Sequence, residues 1–260
     1  MSRSGFTSVA RAVAWRAIHN YLSNPAFLVP SLIFPMFLLA VNSGGLQRAT
    51  NIPGFPTKSY LTFALAIPFM QGALFSVMNA GTDLARDIET GFLNRLALTP
   101  LRGPALLAGL LAGAVMVAIV QAVTYVLVGL AAGASFAAGF PGVLVILALS
   151  VLITVGFGAI GLFAALRTGS GEAVQGLFPA LFVTLFLSSM SLPRNLIRTD
   201  WFREVATYNP VSYLLEAIRS LLITGWNAQA LELGFGIAAA IALVAMLAAS
   251  RALKGRLART

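Results

Sequence analysis

The sequence predicts an all-α membrane protein with six transmembrane helices, on three observations. Of its 260 residues, 58% are hydrophobic and only 10% are charged. A soluble domain carries about 25% charged residues, so too little polar surface is left to coat a particle in water. Apolar runs of the roughly 20 residues that cross a bilayer recur along the chain, and the mean hydropathy is +0.89. One long charged stretch, Thr82 to Leu106, interrupts them with Asp83, Arg86, Asp87, Glu89, Arg95 and Arg102. It reads as a knuckle that leaves the membrane.

Taken in order, residues 4–22 form an interfacial helix lying on the membrane, with Phe6, Val9, Val13, Ala17 and Tyr21 on one face and Ser8, Arg11, Trp15 and His19 on the other. The bland alternative is a solvated N-terminal helix. With Arg3, Arg11 and Arg16 spread through it, the segment is not a signal peptide. The first span, 26–42, holds Pro30 and Pro35. It is expected to kink, with neighbouring helices satisfying the freed carbonyls. A Gly- and Pro-rich loop, 43–57, leads to the second span, 59–80. The knuckle, 82–103, joins it to the third, 104–131. The fourth is 141–166, followed by a tight polar turn at 167–171. The fifth is 172–190 and the sixth 230–250, which ends in the basic tail Arg251, Lys254, Arg256 and Arg259. All of this is one transmembrane domain, 1–260. Glycines at small-xxx-small spacing, Gly109 with Gly113, Gly129 with Gly133 and nearby Gly158 with Gly161, favour close helix packing.

The net charge of +9 has a bland source in a membrane protein. Lys and Arg mark cytoplasmic loops and meet anionic headgroups, so no nucleic acid is implied. With both termini cytoplasmic, the inner segments hold Arg3, Arg11, Arg16, Arg86, Arg95, Arg102, Arg167, Arg251, Lys254, Arg256 and Arg259, a majority of the 17 Lys and Arg. The expected location is a plasma membrane, the inner one of a bacterium.

Between the last two spans, 191–227 is only partly polar and is expected to dip into the outer side as a re-entrant helical hairpin. Its second arm has full helix punctuation. Asn209 caps it, Pro210 takes the first helical position, and Gly225 sits where a left-handed C-cap residue belongs. At about 15 residues, or ~22 Å, the arm is too short to cross alone. Leu196 to Ala206 supplies the other arm. Glu216 and Arg219 are spaced to pair on the helix. Glu216 is therefore half of a structural ion pair, or it faces a substrate exit.

Several chemistries are absent. No Gly precedes Lys58 or Lys254, so there is no phosphate-binding loop. There is no Cys, and His19 is the single histidine, which removes thiol chemistry and multi-histidine metal sites. Acidic residues within spans are too few for a proton relay. Neither an enzyme nor a proton-driven carrier fits. Energy for any work has to come from a partner, and the knuckle is the one inner loop large enough to receive it.

Two stretches carry a resemblance. Glu89-Thr90-Gly91, Leu93-Asn94-Arg95-Leu96 and Thr99-Pro100 resemble the cytosolic segment of ABC-2 type transporter permeases. Tyr208-Asn209-Pro210-Val211-Ser212-Tyr213 through Glu216-Ala217-Ile218-Arg219 resembles that family's other signature, before the last helix. The nearest flavour is the daunorubicin-resistance type of drug or lipid exporter. The resemblance implies two permease chains, identical or related, each resting on a separate ABC ATPase subunit that binds ATP and Mg; this chain carries no cofactor. It implies export of an amphipathic drug or lipid. A polysaccharide or lipid-linked glycan exporter of the same superfamily is the alternative, as is a channel or secondary carrier acting alone. The knuckle is then the coupling helix, with Asp87, Glu89, Gly91, Phe92, Arg95 and Leu96 at the ATPase contact. Physically, Gly91 allows a sharp bend after a helix started near Thr82. Phe92 and Leu96 form an apolar patch rimmed by charge, as a protein contact requires; simple packing under the membrane face is the alternative. Gln71, Phe75 and Asn79 on span two, with Phe178, Phe182 and Phe186 on span five, would suit an amphipathic cargo. The same Phe stripe would also serve lipid or helix packing.

Overall fold

The computed structural model describes residues 25–93 and 103–257, together with Trp15 and His19, and every regular element among them is helical. Trp15 and His19 are helical and exposed; the rest of the expected interfacial helix lies outside the described residues. The first apolar run gives α1 (Pro25–Leu46), which continues through Pro30 and Pro35 into the expected loop before a 3-10 turn, Gln47–Asn51. Pro35 has no N–H for the Ser31 carbonyl one turn earlier. That carbonyl accepts instead from Tyr125 Oη at 2.8 Å and Gln121 Nε2 at 3.3 Å. A neighbouring helix thus satisfies the group that a proline orphans inside a membrane.

The second run divides at Leu65 into α2 (Tyr60–Ala64) and α3 (Ala66–Glu89), because Pro68 cannot donate to the Ala64 carbonyl. No separate helix begins near Thr82. α3 runs unbroken to Glu89, so Asp83, Arg86 and Asp87 occupy the last turns of the spanning helix. The charges there do not end the helix. α4 (Gly103–Ala131) and α5 (Gly139–Thr168) lie within about two residues of their expected bounds.

The expected fifth span differs. Residues 172–190 form α6 (Gly171–Gln175) and α7 (Leu177–Phe186), broken at Gly176. Pro179 leaves the Gln175 carbonyl without its helical donor, and the chain bends through Ser188–Ser191. Neither piece is long enough to cross. Five helical stretches among the described residues are long and apolar enough: Val29–Asn51, Tyr60–Glu89, Leu106–Ala131, Gly139–Thr168 and Ala228–Leu257. A 3-10 turn, Arg194–Leu196, then leads to α8 (Asp200–Tyr208). α9 (Pro210–Arg219) continues as a π turn over Ser220–Thr224. α10 (Ala228–Leu257) carries Arg251, Lys254 and Arg256 on its final turns.

α3 is the central post, packed on α5, α4 and α1, while α10 lies against α5 and α9 packs on α10 and α3. Its contact with α5 is backbone to backbone. A Cβ on Gly161 would collide with the Val77 carbonyl, and one on Gly81 would meet Gly161 O at 2.8 Å and Val174 Cγ1 at 2.5 Å. Gly158 is set against Leu111 instead. Gly129 abuts Leu65, whereas Gly133 lies in the turn after α4, so those two are not a packing pair. The α5 helix direction puts Thr168 beside the final turns of α10, where Arg256 Nη1 donates to Leu166 O at 3.0 Å. One buried cluster fills this knuckle end with Leu84, Leu93, Leu107, Leu162, Val174 and Leu253. A larger one fills the far end and middle, around Phe63, Met70, Ile146, Leu215 and Ile218.

Candidate functional site

At the knuckle end, α3 terminates as its sequence dictates. Thr90 closes the last turn, its N–H and hydroxyl both donating to the Arg86 carbonyl at 3.0 and 2.9 Å. Gly91 then takes φ +69°, in the left-handed region that a side chain resists. The chain turns, and Phe92 and Leu93 begin another helical stretch. Glu89 is exposed, and Asp87 and Phe92 are half-buried. Leu93 is the anchor, 3% exposed within the knuckle-end cluster. Arg95 and Leu96 lie outside the described residues.

At the far end, polar groups tie three segments together. Asn209 Oδ1 accepts from Val211 N at 2.9 Å, and Pro210 opens the helix. The same amide also donates to the Thr184 and Leu187 carbonyls at 2.7 and 3.0 Å, which fastens the end of α7 to the start of α9. Gly225 has φ +88° as its place after the helix requires, but ψ −141°. Its N–H closes the π turn on Ser220 O rather than a left-handed cap.

Glu216 and Arg219 do not pair. Glu216 is held by Arg194, from Nε at 2.7 Å and Nη2 at 2.5 Å, and the Arg194 guanidinium lies 4.4 Å from the centre of the Tyr213 ring. Burial works against the Arg194 charge, yet Glu216 and Tyr213 hold its pKa above the ordinary value. Arg219 turns inward and is 5% exposed. It donates to three backbone carbonyls, Phe63 at 3.0 Å, Ser189 at 2.5 Å and Met190 at 2.5 Å, and lies 3.6 Å from the centre of the Phe63 ring. Tyr60 Oη adds a bond to Ser191 O at 3.0 Å. Burial lowers the guanidinium to about 9, with Tyr60 and Glu216 opposing it, so it stays charged at neutral pH. Arg219 turns away from Glu216 because of carbonyls that distant segments bring to it. The bends at Ser188–Ser191 and the break at Leu65 leave carbonyls facing a buried space, and a guanidinium has enough donors for all of them.

Between the two ends runs an aromatic strip. Phe75 of α3 lies 5.5 Å from Phe178, which stacks on Phe182 at 5.2 Å, and Phe182 is 5.2 Å from Phe186. Phe34 of α1 joins it, 6.2 Å from Phe75 and 6.1 Å from Phe182. Phe186 is half exposed. Gln71 and Asn79 are buried at 1% and 5% exposure. Asn79, about 40° round the helix from Phe75, borders a small gap toward α4 with Gly72, Ser76, Ala114, Val117 and Gln121. Gln71 Oε1 has no hydrogen-bond partner among the described residues.

The elbow that ends α3 and the capped short helix before α10 both fall within a stretch of sequence that matches a known family. The ABC-2 type transporter family matches residues 9–223, which takes in both stretches. The chain belongs to this family. It is 29% identical over 232 residues to the daunorubicin resistance ABC transporter permease protein DrrB1 of Streptomyces coeruleorubidus, covering 85% of this chain and 77% of that one. It is 25% identical over 219 residues to the putative transport permease ycf38 of Porphyra purpurea, covering 83% and 75%. This ABC-2 permease is accordingly a multi-pass membrane protein and a transport component, not an enzyme.

Phe34, Arg194, the anchoring role of Leu93 and the second role of Asn209 were not read from the sequence. Leu93 and Phe34 look like any apolar residue in an apolar neighbourhood. Arg194 lies in a loop, where spacing names no partner. The second role of Asn209 depends on where α7 ends.

Proposed function

We propose that this chain is the membrane half of an ATP-driven exporter that moves an amphipathic drug or lipid out of the cell. It would work as a pair with a second copy or a related permease, each resting on a separate ABC ATPase subunit. The observation that carries this is the family match across both the elbow and the pre-α10 segment in a chain without a phosphate-binding loop. The match to a daunorubicin resistance permease supports a drug-like cargo.

In this reading the elbow at Gly91 docks on the ATPase through Asp87, Glu89, Phe92, Arg95 and Leu96, on the cytoplasmic side. Force applied there reaches α3 directly, because the elbow continues the central helix. It passes to α6 through the Gly81–Val174 contact. α6 leads into α7, whose Phe178, Phe182 and Phe186 form the cargo-facing strip with Phe75. Gln71 and Asn79 would add amides to that path. The Arg194–Glu216 pair and the Arg219 cluster hold the outer end.

Proteoliposomes test the reading, with daunorubicin and a fluorescent phospholipid as probes. Uptake or flipping that needs the ATPase subunit and ATP is the expected result. Movement of either probe by this chain alone would make it a channel or carrier.

A further inference from the structure

The outer walls of α5 and α10 enclose an apolar groove of about 440 Å³, between Ile160 and Phe163 on one side and Ile241, Val244, Ala245 and Ala248 on the other. That is within the size of ordinary ligand pockets, about 300–1,000 Å³. Its walls do not stop where the lining ends. Ile160, Phe163 and Arg167 are spaced three and four apart on α5. Ile241, Val244, Ala248 and Arg251 are spaced three, four and three apart on α10. Each set is therefore one helix face.

The two helices run in the same direction and hold register. A Cβ on Gly156 would meet Ala242 N at 3.1 Å, and Arg256 reaches the Leu166 carbonyl at 3.0 Å. Both walls thus end, at the knuckle end of the bundle, in an exposed arginine. Neither arginine makes an ion pair among the described residues. Lys254 is exposed on the next turn. The groove is apolar along its length and doubly cationic at one end, which complements a phospholipid of the anionic class: a chain alongside Phe163 and Val244, a phosphate between the arginines.

We infer that the α5–α10 groove is a binding site for one anionic phospholipid, its headgroup held by Arg167 and Arg251. The inference goes beyond the export function and makes this lipid a resident of the fold rather than its cargo. It rests on the cytoplasmic placement of the knuckle end, where the leaflet is anionic.

Native mass spectrometry of the full-length chain in detergent tests it, with phosphatidylglycerol and phosphatidylcholine of identical acyl chains as probes. The readout needs neither an ATPase nor a known sidedness, so its outcome is independent of the export reading. The wild-type chain is expected to retain phosphatidylglycerol in preference. Arg167→Gln with Arg251→Gln should weaken that preference by about thirtyfold, from about fivefold per arginine. Arg48→Gln with Lys58→Gln, which removes the same charge at the far end, should leave it intact. Ala248→Phe, which fills the groove, should lower retention of both lipids. A preference that survives in the Arg167/Arg251 variant, or that falls as far in the Arg48/Lys58 variant, would overturn the inference. So would a Val244→Cys chain that cross-links to a second copy in membranes, since the groove would then be a subunit interface.

Discussion

Arg194 grips Glu216 at two points, Nε to Oε1 at 2.7 Å and Nη2 to Oε2 at 2.5 Å, across 22 residues of chain. A two-point pair fixes direction as well as distance. It holds the loop after α7 to the exposed side of α9, while Arg219 holds the same loop from the buried side. A double-mutant cycle of Arg194→Ala and Glu216→Ala should give a coupling of about 1 kcal/mol, because both side chains keep some contact with solvent. Thermal unfolding of the purified chain measures it. In transport, Glu216→Ala should weaken export while ATPase binding stays unchanged; loss of ATPase pull-down would mean that α9 is not on the outer side.

Arg219 is predicted to matter more than Glu216. Arg219→Leu strands the carbonyls of Phe63, Ser189 and Met190, and each stranded group costs about 1–3 kcal/mol. Arg219→Lys should recover only part of this, since an ammonium lacks the planar fork. Melting temperatures of the two variants and of Glu216→Gln separate the effects. Equal losses from Arg219→Leu and Glu216→Gln would restore the pairing expected from their spacing.

The Ser31 carbonyl gives a cleaner cycle. Tyr125→Phe removes its shorter bond and should destabilise by about 1 kcal/mol. Pro35→Ala returns a backbone donor to the same carbonyl, so Tyr125→Phe should cost clearly less in that background. Identical costs in both backgrounds would show that Tyr125 acts by packing alone.

The α3–α5 crossing should tolerate no side chain. Gly161→Ala forces the Val77 backbone away and should cost about 1–3 kcal/mol. Gly236→Ala on the open face of α10, where nothing lies within 4 Å, should be neutral or stabilising by up to about 1 kcal/mol. Folded yield and melting temperature in detergent report both.

Much of this was legible because apolar runs and helix punctuation are local. The bounds of α4 and α5, the Asn209 cap, Pro210 and the turn at Gly91 all follow from residues close together in sequence. What was not legible depended on contacts between distant segments. Glu216 and Arg219 have ideal helical spacing, yet each found a better partner, one in a loop and the other among carbonyls that only the fold exposes. The run 172–190 has the apolarity of a span, but Pro179 divides it. Asp83 to Asp87 suggested a new element, although charge ends a membrane span and not a helix. The aromatic strip was half legible. Phe178, Phe182 and Phe186 follow helical spacing, while Phe34 comes from another span and could be placed beside them only in three dimensions.

The central claim is that the elbow at Gly91 receives work from an ATPase. Its most direct test compares ATP hydrolysis and daunorubicin transport, in proteoliposomes holding the ATPase subunit, for wild type, Glu89→Ala and Gly91→Pro. Proline locks φ near −65°, which is incompatible with the +69° that the bend uses. Both variants should insert and assemble yet transport at least about tenfold less per ATP hydrolysed. Wild-type transport per ATP in both variants would contradict the account.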